Sequence, residues 1–325
     1  MQQETSLRRG IEKIRLGYYP TPLARLENIS RETGVNFYIK RDDLCGIAFG
    51  GNKVRKLEYL LAHAKGRGFD TILTTGSAQS NHAVLTAACC RKLGLEVLLL
   101  LKKRGVTETR GNLLLAGLMN IPVRFIDTDS YADVYAEAET IMETMRAAGK
   151  NPWLIPVGGS VPLGALGYLD AAEEIASQAG ELGFPVHHII CCSGSGGTHA
   201  GLLLGAKKLG ARVTGIVVSA EENFQAEIYR LVLETAKLAG IETDIVLEDV
   251  VLKEYIGPGY AQPSKEGDAA ILFMAEKEGI FLDPVYTGKT FAGFLDLLSK
   301  GFFAPDENVV FVHTGGGPAI FALYP

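Results

Sequence analysis

Short apolar runs alternate along the chain with longer amphipathic stretches. The short runs predict strands over 35–41, 71–75, 95–101, 123–126, 187–192, 212–219 and 309–313. The longer stretches predict helices over 52–65, 81–93, 132–147, 162–178, 198–209, 223–239 and 264–277. Strands separated by helices of this size call for an α/β fold with mostly parallel, twisted sheets. No internal repeat or low-complexity segment interrupts the pattern. Clusters of glycine and proline near Gly50, over 158–162 and over 257–263 predict loops or hinges.

Composition bounds the picture. The chain has 325 residues, 47% of them hydrophobic, enough for two lobes and a substantial core. A net charge of −5 leaves no basic stripe to neutralise phosphates, which argues against a nucleic-acid partner. Lys102-Lys103-Arg104 follows a strand and is expected to be a solvated loop. The five cysteines, Cys45, Cys89, Cys90, Cys191 and Cys192, form no spaced framework and point to reduced thiols in a cytoplasmic protein. The charged N-terminus lacks the apolar core of a signal peptide, and no apolar run reaches membrane-spanning length.

The most informative run is Gly50-Gly51-Asn52-Lys53. Two glycines and an asparagine mark a close backbone approach before a helix. Lys53 opens that helix, where the helix end disfavours a further positive charge, and Arg55 and Lys56 crowd it. An amine pressed in this way becomes neutral near physiological pH, as Schiff-base chemistry needs. A lone lysine there would equally serve as a solvated charge.

Ser193-Gly194-Ser195-Gly196-Gly197-Thr198 lies between a strand and a helix. Such a turn aims backbone amides at an anion, a phosphate being the natural guest, unless it is a plain glycine-rich connection. A nicotinamide-type loop fits poorly because His199 stands where a third glycine is expected, although Glu221 after the next strand keeps that alternative open. No Lys-Ser/Thr pair follows, so it is not a nucleotide P-loop. Gln79-Ser80-Asn81-His82 also joins a strand to a helix. Ser80 or Asn81 reads as a helix cap, and a helix start is also a seat for a carboxylate. Tyr260 and Tyr286 supply phenols beside turns. His82, His199 and His313 read as hydrogen-bonded structural residues. His187 and His188 point to opposite faces of a strand, and no ligand set for a metal is spaced along the chain.

These strings, together with Tyr19-Pro20-Thr21-Pro22, Lys40-Arg41-Asp42-Asp43, Gly158-Gly159-Ser160, Asp283-Pro284-Val285-Tyr286-Thr287-Gly288-Lys289 and His313-Thr314-Gly315-Gly316, run in order through almost the whole chain. The ordered set resembles the family of pyridoxal-phosphate-dependent 1-aminocyclopropane-1-carboxylate deaminases and D-cysteine desulfhydrases. The resemblance implies a two-lobed, tryptophan-synthase-β-like (fold type II) enzyme. Its larger lobe would take 1–52 plus 162–325 and its smaller lobe 53–161, with pyridoxal 5′-phosphate in the cleft. It implies that Lys53 holds the cofactor. Asn52 and residues Ser193 to Thr198 (Ser193, Gly194, Ser195, Gly196, Gly197 and Thr198) would surround the cofactor, the loop binding its phosphate. Asn81 would face the ring hydroxyl, Thr287 the ring nitrogen, with Thr314 nearby. Gln79, Ser80, Asn81 and His82 would bind the substrate carboxylate. Ser80 would lie close to the reacting carbon, and Tyr260 and Tyr286 over the substrate as acid/base or positioning groups. A homodimer acting on a small amino acid is expected.

At least two chemistries occur in that family. The ring-opening deaminases carry Glu where Thr287 stands and Leu where Thr314 stands, so the resemblance here is to the desulfhydrase branch. A cyclopropane substrate has no α-hydrogen and benefits from a strong electron sink, which a carboxylate at the ring nitrogen provides. Cysteine offers an α-hydrogen and a sulfide leaving group, for which a hydroxyl suffices. The implied reaction is α,β-elimination of D-cysteine to pyruvate, hydrogen sulfide and ammonia. The competing expectations are ring opening, a lyase for another β-substituted alanine such as L-cysteate, and a phosphate-ligand binding protein without activity.

Overall fold

The structure, a computed structural model, describes residues 5–8, 10–219 and 222–324. Glu221 lies outside the described residues. Beyond an antiparallel hairpin of β1 (Thr5–Arg8) and β2 (Ile11–Ile14), the strands form two sheets. The chain passes through β3 (Leu23–Arg25), α1 (Glu27–Thr33) and β4 (Asn36–Lys40), then α2 (Lys53–Gly66). Next come β5 (Thr71–Ser77), α3 (Asn81–Leu93), β6 (Glu96–Lys102), α4 (Gly111–Leu118), β7 (Val123–Ile126), α5 (Tyr131–Ala147) and β8 (Pro152–Ile155). It continues through α6 (Pro162–Leu182), β9 (His188–Ser193), α7 (Gly197–Ala206), β10 (Arg212–Val217), α8 (Phe224–Ala239) and β11 (Val251–Glu254). It closes with α9 (Lys265–Glu278), α10 (Thr287–Ser299), β12 (Asn308–Val312) and α11 (Ile320–Leu323).

One sheet has the order β7-β6-β5-β8 and is wholly parallel. The other has the order β11-β10-β9-β12-β4-β3, parallel except for edge strand β3. Central strands read as unbroken apolar runs because both faces are covered. In β12, Val310 and Val312 face a core shared with α6, α7 and α8, while Val309 and Phe311 face one shared with α9 and α10. In the smaller sheet, Ile72 and Leu99 pack toward α2 and α3, and Leu73 and Leu100 toward α5. This period of two fixes the register. The C-terminal ends of β5, β9 and β12 lead directly into Ser80, the 194–198 loop and Thr314, which is where ligands collect in parallel α/β proteins.

All seven predicted strands and all seven predicted helices are present, with ends moved by a few residues. The pattern did not announce the β1–β2 hairpin, β3, β8, β11, α1, α4, α10 or α11.

Candidate active site

A cleft of about 820 Å³ lies between the strand ends of the two sheets. Lys53, Asn52, Ser80, Asn81, His82, Gly194, Ser195, Gly196, Thr198, Tyr260, Tyr286 and Thr314 all line it. Glycine is obligatory where the backbone enters. Gly50 has φ +68°, and a Cβ there would lie 1.9 Å from the Asp43 carbonyl oxygen. A Cβ on Gly51 would lie 2.8 Å from the Thr314 carbonyl oxygen. These close approaches let Asn52 N–H donate to Thr314 O at 3.0 Å and start α2 at Lys53.

The Lys53 ammonium is 3.4 Å from Gly158 O, and its pKa is lowered to about 8. Burial is the cause, opposed by the Cys192 thiol nearby. Arg55 does not crowd it as the sequence led one to expect. Its guanidinium is buried among Asp42, Glu174 and Thr21. Lys56 does approach, and sequence reasoning assigned it no partner of its own. It lies three residues on, along the same helix face, and is 1% exposed. Its ammonium donates to Gly158 O and Ser160 Oγ, each at 3.2 Å. Burial first, and Lys53 second, push its pKa well below the usual lysine range.

The Ser193–Thr198 segment ends β9 and opens α7. Gly196 takes φ +78°. Ser160 Oγ accepts from Lys56 Nζ and from Gly197 N–H at 3.2 Å, which uses both its lone pairs. Its own proton therefore goes to Ser195 Oγ, 2.8 Å away, leaving the Ser195 O–H free to donate elsewhere. Asn52 Nδ2 donates to Thr198 Oγ1 at 3.0 Å and ties the two helix starts together. Ser193 does not reach the cleft: it is 1% exposed and bonds to His199 Nδ1 at 3.1 Å. Gly197 contributes backbone at the first turn of α7 but is not on the cleft wall.

This corner tests the cofactor's fit. It holds the start of α7, a free serine hydroxyl and two ammonium groups. The acceptors of Lys56 are neutral oxygens. No side chain fits at residue 158, where a Cβ would meet Ser195 Oγ at 2.2 Å. Backbone donors at a helix start, the Ser195 hydroxyl and two lysine amines suit a phosphate, with Arg230 and Glu227 also on the cleft wall.

On the other wall, Ser80 is both cap and cleft residue. Its Oγ accepts from Ala83 N–H at 3.2 Å, and the residue is 7% exposed. Gly76 leaves room for it, since a Cβ there would sit 2.3 Å from Ser80 Oγ. Asn81 follows at the first position of α3. Thr74 Oγ1 donates to Ile155 O, so His82 Nε2, 2.9 Å from that hydroxyl, carries the proton. Burial, then Lys53 and Lys56, hold this imidazole neutral, well below its usual pKa. Gln79 is turned away from the cleft. Its amide is used by Val106 O, Arg110 O and Asn112 N.

Tyr260 and Tyr286 meet hydroxyl to hydroxyl at 2.5 Å, and burial raises the Tyr286 phenol well above its usual pKa. Thr314 lines the cleft, but Thr287 does not. Thr287 is fully buried; its Oγ1 donates to Asp283 Oδ1 at 2.7 Å and accepts from Asp283 N–H at 2.7 Å. The same carboxylate accepts from the backbone of Val285, Tyr286 and Thr287, and so starts α10. His199 and His313 are hydrogen-bonded within the fold. The five cysteines are free and buried, yet Cys192 also lines the cleft, its thiol pushed up to about 12 by burial. Lys102 is not a solvated loop residue: its ammonium lies 4.0 Å from the Tyr131 ring centre, and both line the cleft.

The family model described as pyridoxal-phosphate dependent enzyme matches residues 14–315. The chain belongs to the pyridoxal-phosphate-dependent enzymes. A Pyrococcus abyssi protein provisionally named 1-aminocyclopropane-1-carboxylate deaminase is 43% identical over 95% of this chain and 93% of its own length. A D-cysteine desulfhydrase of Salmonella choleraesuis is 42% identical over 94% of each chain. The crystal structure of a homologue of 1-aminocyclopropane-1-carboxylate deaminase superposes with TM-score 0.89 at 40% identity, over 95% of this chain and 93% of the other. The two-sheet architecture is that of fold type II pyridoxal-phosphate enzymes. Among the described residues, no helix is long and apolar enough to cross a membrane.

Proposed function

We propose that this pyridoxal-phosphate enzyme is a carbon–sulfur lyase that eliminates hydrogen sulfide from D-cysteine. Water completes the reaction, and the products are pyruvate, hydrogen sulfide and ammonia. The observation that carries the reading is the pair of hydroxyl residues Thr287 and Thr314. They stand where ring-opening relatives of the resembled family carry a carboxylate and a leucine. The Thr287 hydroxyl is committed to Asp283.

The bound cofactor supplies an electron sink for negative charge at the substrate α-carbon. Lys53 would hold it covalently, and the Gly194–Thr198 loop, Ser160 and Lys56 would hold its phosphate. Asn81 would donate to its ring oxygen, with Asn52 and Thr314 beside it. The start of α3 at Ser80 and Asn81, with His82 behind, would seat the substrate carboxylate. Once free, the Lys53 amine accepts the α-proton, a task that its pKa of about 8 suits near neutral pH. The phenol pair Tyr260 and Tyr286 would deliver a proton toward the departing sulfur.

The same reading divides the chain into units 1–52 plus 162–325 and 53–161, with the cleft between them. It makes the protein a cytoplasmic homodimer. Five buried free thiols suit a reducing compartment.

The test is to present the loaded enzyme with D- and L-cysteine, L-cysteate and 1-aminocyclopropane-1-carboxylate, and to measure sulfide, sulfite, ammonia and keto acids. Sulfide and pyruvate from D-cysteine above all others is the expected result. Faster 2-oxobutyrate from the cyclopropane substrate, or sulfite from cysteate, would replace the assignment.

A further inference from the structure

We infer that Asn112 is a positioning residue that fixes the amide of Asn81 and so decides which of its atoms faces the cleft. Asn112 is the second residue of α4, is 2% exposed and does not line the cleft. The orientation of three amides follows from groups that can play only one role. Asn112 N–H donates to Gln79 Oε1 at 2.8 Å. The other amide atom of Gln79 must then be nitrogen, and it faces the carbonyls of Val106 and Arg110 at 3.1 Å each. Asn112 meets Gln79 O at 2.9 Å. A backbone carbonyl only accepts, so the Asn112 atom there is Nδ2. That same nitrogen lies 2.7 Å from the Asn81 amide. The Asn81 atom opposite it must therefore be Oδ1, and Asn81 Nδ2 is turned away from α4.

Asn112 Oδ1 is buried without a hydrogen-bond partner among the described residues. Turning the Asn112 amide over would set this oxygen against two other acceptors. The orphaned atom is the cost of keeping the nitrogen on Asn81 and Gln79.

The consequence rests on the reading that Asn81 hydrogen-bonds the ring oxygen of the cofactor. An amide nitrogen donates to a ring oxyanion, whereas an amide oxygen would repel it. The experiment measures binding to apoprotein of pyridoxal 5′-phosphate and of its 3-deoxy analogue, which lacks the ring oxygen. The proteins are wild type, Asn81→Ala, Asn112→Ala, the double variant and Asn112→Asp. Each single alanine variant is expected to lose about tenfold in affinity for the parent cofactor, and less than about twofold for the analogue. The double variant should lose no more than Asn81→Ala alone, because one contact is removed twice. Asn112→Asp keeps the shape but offers only acceptors. It should turn the Asn81 oxygen toward the cleft, lose at least as much for the parent alone, and serve where Asn112→Ala does not fold. Equal losses for both ligands, or losses that add in the double variant, would overturn the inference and leave Asn112 a packing residue. If Asn81→Ala itself treats the two ligands alike, the reading of Asn81 fails, and the inference with it.

Discussion

At Lys53 the cause of the lowered pKa decides what the amine can do. Burial, rather than the neighbouring charges the sequence displays, brings it to about 8. A lowered lysine pKa enlarges the neutral fraction at every pH below the ordinary value near 10.5. Covalent trapping of pyridoxal phosphate on the apoprotein with borohydride should therefore rise with pH and level off above about 8. Lys53→Ala should give no adduct at that position by mass spectrometry. A midpoint near the ordinary lysine value would return Lys53 to a solvated charge. Thr287 and Thr314 carry a second expectation. Thr287→Glu removes the hydroxyl that Asp283 accepts and brings a second carboxylate into the same buried pocket, where the two repel each other. Thr314→Leu removes a hydroxyl from the cleft wall. The pair should cut sulfide release from D-cysteine by at least about tenfold, the scale of one lost oriented contact. Sulfide and 2-oxobutyrate are assayed on the same preparation, and an unchanged ratio would place specificity elsewhere. Most cleft residues were legible because each sits in a local motif at a strand end. Gln79, Ser193 and Thr287 point away because their partners are set by the folded environment. Asn112 and His199 in particular were not linked to them by any sequence pattern.

At the scale of elements, the missed pieces share a cause. α10 reads Thr-Gly-Lys-Thr-Phe-Ala-Gly-Phe at its start and is buried on every side there, so no polar stripe marks it as a helix. Its start is nonetheless signalled by Asp283-Pro284, a turn pair whose carboxylate collects the first amide groups of the helix. α4 is short and opens on a glycine, and β8 is short and opens on a proline. α10 also carries a brace. Lys289, 1% exposed, donates to Ile256 O at 2.7 Å and Gly259 O at 2.8 Å. It thereby binds the loop that bears Tyr260 to the helix that begins just after Tyr286. Lys289→Met keeps the length of the side chain and leaves both carbonyls without this donor. The loop should loosen and the phenols part. The expected result is a fall in kcat of roughly 10- to 100-fold, with hydrogen exchange accelerated over 256–260 and cofactor affinity unchanged. Wild-type exchange in that loop would mean that Tyr260 is held by other contacts.

For the whole molecule, the alternation of strands and helices was enough to give the α/β class, but not two separate sheets, because pairing order is a property of distant segments. The cleft exists only where β5 of one sheet and β9 and β12 of the other bring their C-terminal ends together. α4 stands behind one wall of that cleft and packs against α11, where a Cβ on Gly111 would lie 2.7 Å from Ala322 Cβ. The outer side of this pair is apolar: Leu118 is 75% exposed and Phe321 74%. In the homodimer proposed above, the exposed apolar side chains of these two helices would be a surface for the second copy to cover. Sedimentation at micromolar concentration should therefore give twice the 34.9 kDa chain. Leu118→Asp with Phe321→Asp should give the single chain. Because α4 carries Asn112, uncovering it should also loosen the brace on Asn81, so the monomeric variant should bind pyridoxal phosphate less tightly without touching the cleft. A wild-type protein that sediments as one chain would remove the homodimer. A monomeric variant with full cofactor affinity would show instead that the fold of one chain holds α4 in place by itself.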